Sequence, residues 1–309
     1  MMKKLLIPFL LLATLAGQAQ LSNSWIDYNK TYYKFKLVND GVVRISQASL
    51  NAAGLGSTPA QHFQLWRNGE EVRLYTTVAS GPLGASDYIE FWGQMNDGKK
   101  EKDLYRDVDF QMNDRYSLFS DTSAYFLTVN SASPNLRYDV ATSGSTAGLT
   151  PDPYYMRRYE YYFKGIQNRG YAAVLGEYVY SSAFDAGEGW TTGDVFHCCA
   201  LARDLDKMNV YQAGPPNSVS VSLGACGNSL NSREVVMKLY NDTVINKPMP
   251  YFNYVKETRT GLPLSLLQSP NNLPVQINGS NPNPTDRIVV SYFTVTYPAK
   301  FNFNNEKSW

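Results

Sequence analysis

The stretch at residues 287–297, RIVVSYFTVTY, limits what this chain can fold into more than any other. β-branched and aromatic side chains dominate it, and apolar residues alternate with Ser and Thr at the period of a strand that buries one face. Shorter runs of the same kind recur at 33–37, 42–45, 63–66, 71–75, 87–92, 125–129, 218–223 and 234–240. Asn39-Asp40-Gly41, Asn68-Gly69 and Asn241-Asp242 stand between such runs with turn chemistry, and they predict hairpins over 32–45, over 63–75 and after residue 240. Two tyrosine-rich stretches, 154–163 and 171–180, read equally as strand or helix. Ser46 is placed to cap a short helix through Ala53, which Gly54 would stop. The pattern predicts a mainly β chain of antiparallel β-sandwich-type domains with one or two short helices, and no internal repeat of fixed period is present.

The N-terminus carries a separate signal. Lys3 and Lys4 precede the apolar run at 5–16, and Gly17-Gln18-Ala19 puts small residues where a signal peptidase reads, so cleavage is expected after Ala19. That run is shorter than the ~20 residues a membrane span needs, and no later stretch approaches that length. The expected product is exported to periplasm, cell surface or medium, with no membrane span. Its organisation is read as a signal peptide at 1–19, an N-terminal β domain at 20–130, a Ser/Gly/Pro-rich linker at 131–153, and a second β-sandwich domain at 154–309. The closing residues FNFNNEKSW alternate without a turn or cap, so this second domain is expected to be truncated and the chain a fragment. Charge excludes one class of partner. Lys plus Arg number 28 and Asp plus Glu 27, too even a balance for a nucleic-acid binder.

Candidate chemistry is sparse. His is present only twice against 23 Tyr. A thiol nucleophile needs an imidazole within hydrogen-bond reach, which draws attention to His197, Cys198 and Cys199, with Cys226 further on. In an extended strand His197 and Cys199 would share a face ~6 to 7 Å apart, beyond a direct hydrogen bond. The cysteines are read first as small buried hydrophobes, with a bridge from Cys226 to one of the adjacent pair as the alternative. Their spacing with His197 fits no zinc pattern, and His62 reads as a loop histidine. The pairs Asp107/Asp109, Asp204/Asp206 and Asp185/Glu188 suit calcium in spacing but lack the twelve-residue loop pattern, and solvated charges are the better reading. No nucleophile elbow, phosphate loop or dinucleotide fingerprint occurs. Trp66, Trp92 and Trp190 either line a carbohydrate or peptide surface or belong to core and rim. No catalytic, cofactor-binding or metal residue is therefore assigned, and no cofactor is expected.

The strings SWIDYNKTYYKFKLVNDGVVRISQASLNAAGL, FQLWRNGEEV and DYIEFWG, continued by GEYVYSSAFDAGEGW and VSYFTVTYPAKFNF, resemble the N-terminal region of gingipain-like cysteine peptidases and the related sortase of the type IX secretion system. The resemblance implies an exported multidomain protein whose β modules precede a caspase-like catalytic domain, with that downstream domain and the type IX secretion machinery as partners. The catalytic His and Cys of the family belong to the caspase-like domain. Neither His62 nor His197 is followed by glycine, so no catalytic residue carries over. The expected role is a non-catalytic accessory or propeptide-like region, cut, if it is removed, in the linker at 131–153. The alternative is a stand-alone secreted adhesin or glycan-binding β-sandwich. Asp242-Thr243-Val244 also resembles a short acceptor for O-linked sugars, beside its plainer reading as a hairpin turn.

Overall fold

A strand with one apolar face becomes stable only when a second layer covers that face, and this chain supplies such layers in two compact units. The computed structural model describes residues 23–305 except 133, 140, 175, 176 and 182, so the expected leader at 1–19 lies outside the described residues. The first unit comprises Met1–Lys36, Val42–Trp92 and Ala124–Tyr138, and the second comprises Leu37–Gly41, Gly93–Ser123 and Asp139–Trp309.

The strands of the first unit are β1 (Tyr33–Leu37), β2 (Gly41–Ser46), β3 (Phe63–Arg67), β4 (Glu70–Val72), β5 (Tyr75–Thr76), β6 (Tyr88–Gly93) and β7 (Ser123–Val129), with one α-helix, α1 (Gln47–Ala52), after β2. They form a four-stranded sheet in the order β1-β7-β3-β4 and a three-stranded sheet in the order β2-β6-β5. The β3–β4 hairpin is the one expected. Asn68 and Gly69 have φ of 51° and 80°, the left-handed pair that a tight two-residue turn requires. The hairpin expected over 32–45 is not formed, because β1 and β2 lie in different sheets. The Asp40 carboxylate accepts from Met95 N at 2.8 Å and pairs with Arg115 at 3.1 Å, which makes the segment between the strands a tethered corner. At α1 the Ser46 hydroxyl accepts from Ser49 N at 3.2 Å, and Gly54 follows with φ of +78°. Phe63, Leu65, Phe91, Tyr125 and Leu127 fill the core, with Phe35 stacked on Tyr125 at 5.6 Å.

The second unit carries β8 (Tyr155–Tyr162), β9 (Ile166–Asn168), β10 (Gly170–Val174), β11 (Glu177–Ser181), β12 (Gly189–Thr191), β13 (Val195–Phe196), β14 (Leu201–Leu205), β15 (Val219–Gly227), β16 (Glu234–Leu239), β17 (Asp242–Pro248), β18 (Tyr254–Leu262), β19 (Leu273–Gly279) and β20 (Arg287–Ala299). Both ambiguous tyrosine-rich stretches are strands, β8 and the β10–β11 hairpin. A five-stranded sheet in the order β13-β20-β15-β18, with β8 also on β20, faces a four-stranded sheet in the order β14-β19-β16-β17. Their pairings are antiparallel. Val221 and Leu223 of β15, Val290, Phe293 and Val295 of β20, Met237 of β16 and Ile277 of β19 fill the space between them. On β20 the inward positions change phase. Gly224 is opposite Tyr292 and Ala225 opposite Val290, so Ser291 is an extra residue, a bulge that turns Tyr292 outward and Phe293 inward.

Residues 93–123 are wired into this second unit, although they fall within the span 20–130 expected for the first domain. Tyr105 Oη donates to Glu188 O at 3.1 Å, Asn113 Nδ2 to Trp190 O at 3.1 Å, and Trp190 Nε1 to Ser117 O at 2.9 Å. Residues 141–153 are exposed and outside any strand or helix. Limited proteolysis is therefore expected to nick first within 141–153. The two fragments should co-elute under native conditions and separate only in denaturant, a result read by size exclusion and mass spectrometry.

Candidate functional site

Among the described residues the most reactive side chains form no imidazole–thiol pair. His197 and Cys198 sit in the turn that carries the chain from β13 in one sheet to β14 in the other, and Cys199 N closes the turn on Phe196 O at 3.0 Å. Cys198 and Cys199 are exposed, with sulfurs 2.7 Å apart and both thiols free. Both thiol side chains project outward from this turn, so the expectation of small buried hydrophobes fails for this pair. His197 Nδ1 is buried without a partner among the described residues. Cys226, on β15, is fully buried beside Met112 and Val289, and its thiol contacts Gly227 O at 3.3 Å and Phe252 O at 3.4 Å. Burial pushes that thiol up to about 12, with Arg233 opposing the shift only in part. A thiolate is disfavoured there. No hydrogen bond joins either histidine to a cysteine among the described residues, and His62 ends a short turn whose carbonyl accepts from Asn130 N at 2.8 Å.

The carboxylate pairs divide. Asp107 and Asp109 are exposed, with Asp107 Oδ1 capping Asp109 N at 2.9 Å, and Asp204 and Asp206 are exposed on and after β14. Asp185 and Glu188 are only 2% and 6% exposed, which corrects the reading of solvated charges. Asp185 pairs with Arg106 at 3.2 Å, and Glu188 Oε2 accepts from Asp185 N at 3.2 Å. Burial raises the Glu188 carboxyl, and backbone hydrogen bonds oppose that shift. These two close the loop around Gly187, whose backbone lies too near Cys226 for any side chain. Among the described residues no three His, Cys, Asp or Glu side chains form a metal-binding group.

The tryptophans are mostly structural. Trp66 packs on Trp25 at 5.5 Å, Trp190 is tied to Ser117, and Trp92, 51% exposed, faces outward. The sheet face that reasoning from sequence missed is the outer side of β8, β20, β15 and β18. There Tyr162, Tyr292, Arg158, Ser222, Thr258 and Lys256 line a cleft of about 600 Å³, walled by residues 108–114. Tyr292 and Tyr162 are register partners with ring centroids 5.5 Å apart. Gly224 permits this arrangement, since a Cβ there would lie 2.3 Å from the Tyr292 ring. The Ser222 and Thr258 hydroxyls meet at 2.9 Å, and Lys256 Nζ holds the wall by donating to Asp109 O at 3.1 Å and Gln111 O at 3.3 Å. Burial raises both phenols above their ordinary range. The phase change in VVSYF is the one signal in the sequence that could have placed Tyr292 outside. Thr243 of the acceptor-like triplet is exposed at the start of β17.

Among the described residues no helix is long and apolar enough to cross a membrane. No protein-family model matches the chain, and no curated protein matches it. Among solved structures, it is similar to dimeric latent PorU from Porphyromonas gingivalis at 12% identity and a TM-score of 0.49, over 89% of this chain and 25% of that one. The CBM36-1 domain of a multidomain xylanase from the hindgut metagenome of Trinervitermes trinervoides matches at 11% identity and a TM-score of 0.27, over 46% of this chain and 96% of that domain. These likenesses are distant, and the chain spans about a quarter of the PorU chain's length.

Proposed function

We propose that this chain is the non-catalytic N-terminal region, accessory or propeptide-like, of an exported gingipain-like cysteine peptidase associated with type IX secretion, with peptide-bond hydrolysis carried by a caspase-like domain elsewhere in the same polypeptide. The family-like strings in both halves of the sequence support the assignment. The observation that carries its non-catalytic part is that no hydrogen bond joins an imidazole to a thiol among the described residues. Cys226 is sealed in the sheet with its proton held, and the exposed Cys198 and Cys199 make no hydrogen bond to an imidazole among the described residues. A nucleophilic thiol needs a base within about 2.6–3.2 Å or a lowered pKa. Among the described residues no imidazole bonds any of the three thiols, and the Cys199 and Cys226 thiols are shifted upward, Cys199 first by its hydrogen bond with Cys198 and Cys226 by burial.

The purified chain, incubated with peptides containing Arg or Lys, is expected to give no hydrolysis that thiol alkylation abolishes. Turnover lost on alkylation would overturn the proposal. A coding frame that continues beyond Trp309 into a His-Gly and a later strand-terminal Cys is the expected genomic result.

A further inference from the structure

We infer that the outer-face cleft of the second unit binds a neutral polysaccharide, stacking pyranose rings on Tyr292 and Tyr162 and engaging sugar hydroxyls through Ser222, Thr258 and the charged rim. This activity does not depend on any peptidase domain. A pyranose ring presents C–H bonds on its faces and hydroxyls around its edge. It is therefore matched by an aromatic face, whose π-cloud is negative, set among side chains that donate and accept. The cleft has that composition. Its floor holds two neighbouring phenol rings with centroids 5.5 Å apart, and beside them the Ser222–Thr258 hydroxyl pair.

The floor is built for an aromatic ring. The outer face of a sheet ordinarily carries a side chain at every second position, yet at 224 it carries none, and the Tyr292 ring occupies the vacated space. The bulge at Ser291 then fixes Tyr292 on this face. At about 600 Å³ the cleft is within the ~300–1,000 Å³ range typical of small-ligand sites.

The charges and the strand pairing narrow the ligand class. Lys102, Arg158 and Lys256 are balanced by Asp103, Asp109 and Asp114 around one rim. Such a rim offers many hydrogen-bonding groups and no net field, which suits a neutral, hydroxyl-rich chain better than a polyanion or polycation. Both central strands of the floor, β20 and β15, are hydrogen-bonded on both edges. An extended peptide therefore cannot add there as a strand, and recognition has to come from side chains standing on the sheet.

The test is calorimetric titration of the full chain with cellohexaose, laminarihexaose, xylohexaose and mannohexaose, with heparin as the polyanion. Saturable binding of at least one neutral hexasaccharide is expected, insensitive to salt. Tyr292→Ala and Tyr162→Ala should each weaken it about tenfold, whereas Tyr292→Phe should keep most of it, because the ring and not the hydroxyl supplies the stacking. If Tyr292→Ala fails to fold, Tyr162→Ala on the edge strand β8 and amide shift mapping of the unaltered chain decide the matter. Shifts should then cluster on β8, β15, β18 and β20. No binding of any neutral hexasaccharide, binding indifferent to both alanine variants, shifts confined elsewhere, or salt-sensitive binding of heparin alone would overturn the inference.

Discussion

Replacing Asp286 by asparagine is expected to lower the unfolding free energy by about 3–5 kcal/mol, because it strips the partner from a buried cation. Asp286 and Arg233 have side chains only 1% and 0% exposed, and their Oδ1 and Nε lie 2.6 Å apart. The rest of the guanidinium is committed to backbone carbonyls and the Ser229 hydroxyl. Nη1 donates to Met249 O at 3.1 Å and Tyr251 O at 2.7 Å, and Nη2 to Ser229 O at 3.0 Å and to Ser229 Oγ at 2.6 Å. Ser229 Oγ also donates to Asp286 Oδ1 at 3.1 Å. One side chain thus pins the connection after β15, the connection after β17 and the residue that immediately precedes β20. Asp286 Oδ2 is buried without a partner among the described residues, so Arg233 is the principal compensation for that carboxylate and loses its own when the charge goes. Gly227 is required beside this group, since a Cβ would fall 2.0 Å from Tyr251 O and 2.2 Å from Arg233 Nη1.

Two comparisons make the expectation specific. Glu160→Gln removes an ion pair whose partners are 57% and 41% exposed, and such surface pairs contribute ~0–1 kcal/mol. The double variant Arg233→Met with Asp286→Leu should lose less than the two single changes combined, since it leaves no buried charge, although the three carbonyls that Arg233 served remain unsatisfied. Urea unfolding of Asp286→Asn, Glu160→Gln, the double variant and its two single changes checks this. For a unit of this size the Asp286→Asn loss corresponds to a fall in melting temperature of roughly 10 °C. A loss no larger than that of Glu160→Gln would mean the pair does not hold the loops.

What could be read in the sequence was what depends on neighbours in the chain. Alternation located β20, β15 and β16, Asn68-Gly69 located its hairpin, and Ser46 located α1, because period, turn geometry and capping are set within a few residues. Partner choice is not local. Asn39-Asp40-Gly41 has good reversal chemistry, yet β1 pairs in one sheet and β2 in another, because Asp40 is held by Met95 and Arg115 far along the chain. At the β16–β17 turn the left-handed residue is Tyr240, with φ of 52°, not a glycine or asparagine. Its hydroxyl donates to Asn272 O at 2.6 Å and accepts from Ser269 N at 3.1 Å, and contacts so remote leave no local trace. The cleft was hidden for the same reason. Gly224 and Tyr292 look unrelated until strand pairing sets one under the other. Asp185 and Glu188 read as solvated until tertiary packing buries them.

The second large effect is expected one position beyond the cleft floor. Phe293→Ala should cost about 3–5 kcal/mol, the range for deleting a fully buried aromatic side chain and leaving a cavity. Phe293 is 0% exposed. It stacks on Tyr161 at 5.5 Å with 5° between the rings, touches Phe163 at 6.3 Å, and pairs across the ladder with Leu223. The space it fills lies between the two sheets of the second unit, where neither sheet can collapse without breaking its own pairing. Tyr292→Ala, its neighbour in sequence, faces the cleft and should cost only about 1–2 kcal/mol, because part of its surface is already in water. The contrast tests the bulge at Ser291 directly. Had β20 continued without the extra residue, a one-residue change of phase would exchange the two faces and reverse the order of the two losses. Urea midpoints at constant slope for both variants decide between these arrangements: a larger loss for Tyr292→Ala than for Phe293→Ala would place the bulge, and with it the aromatic floor, in the wrong register.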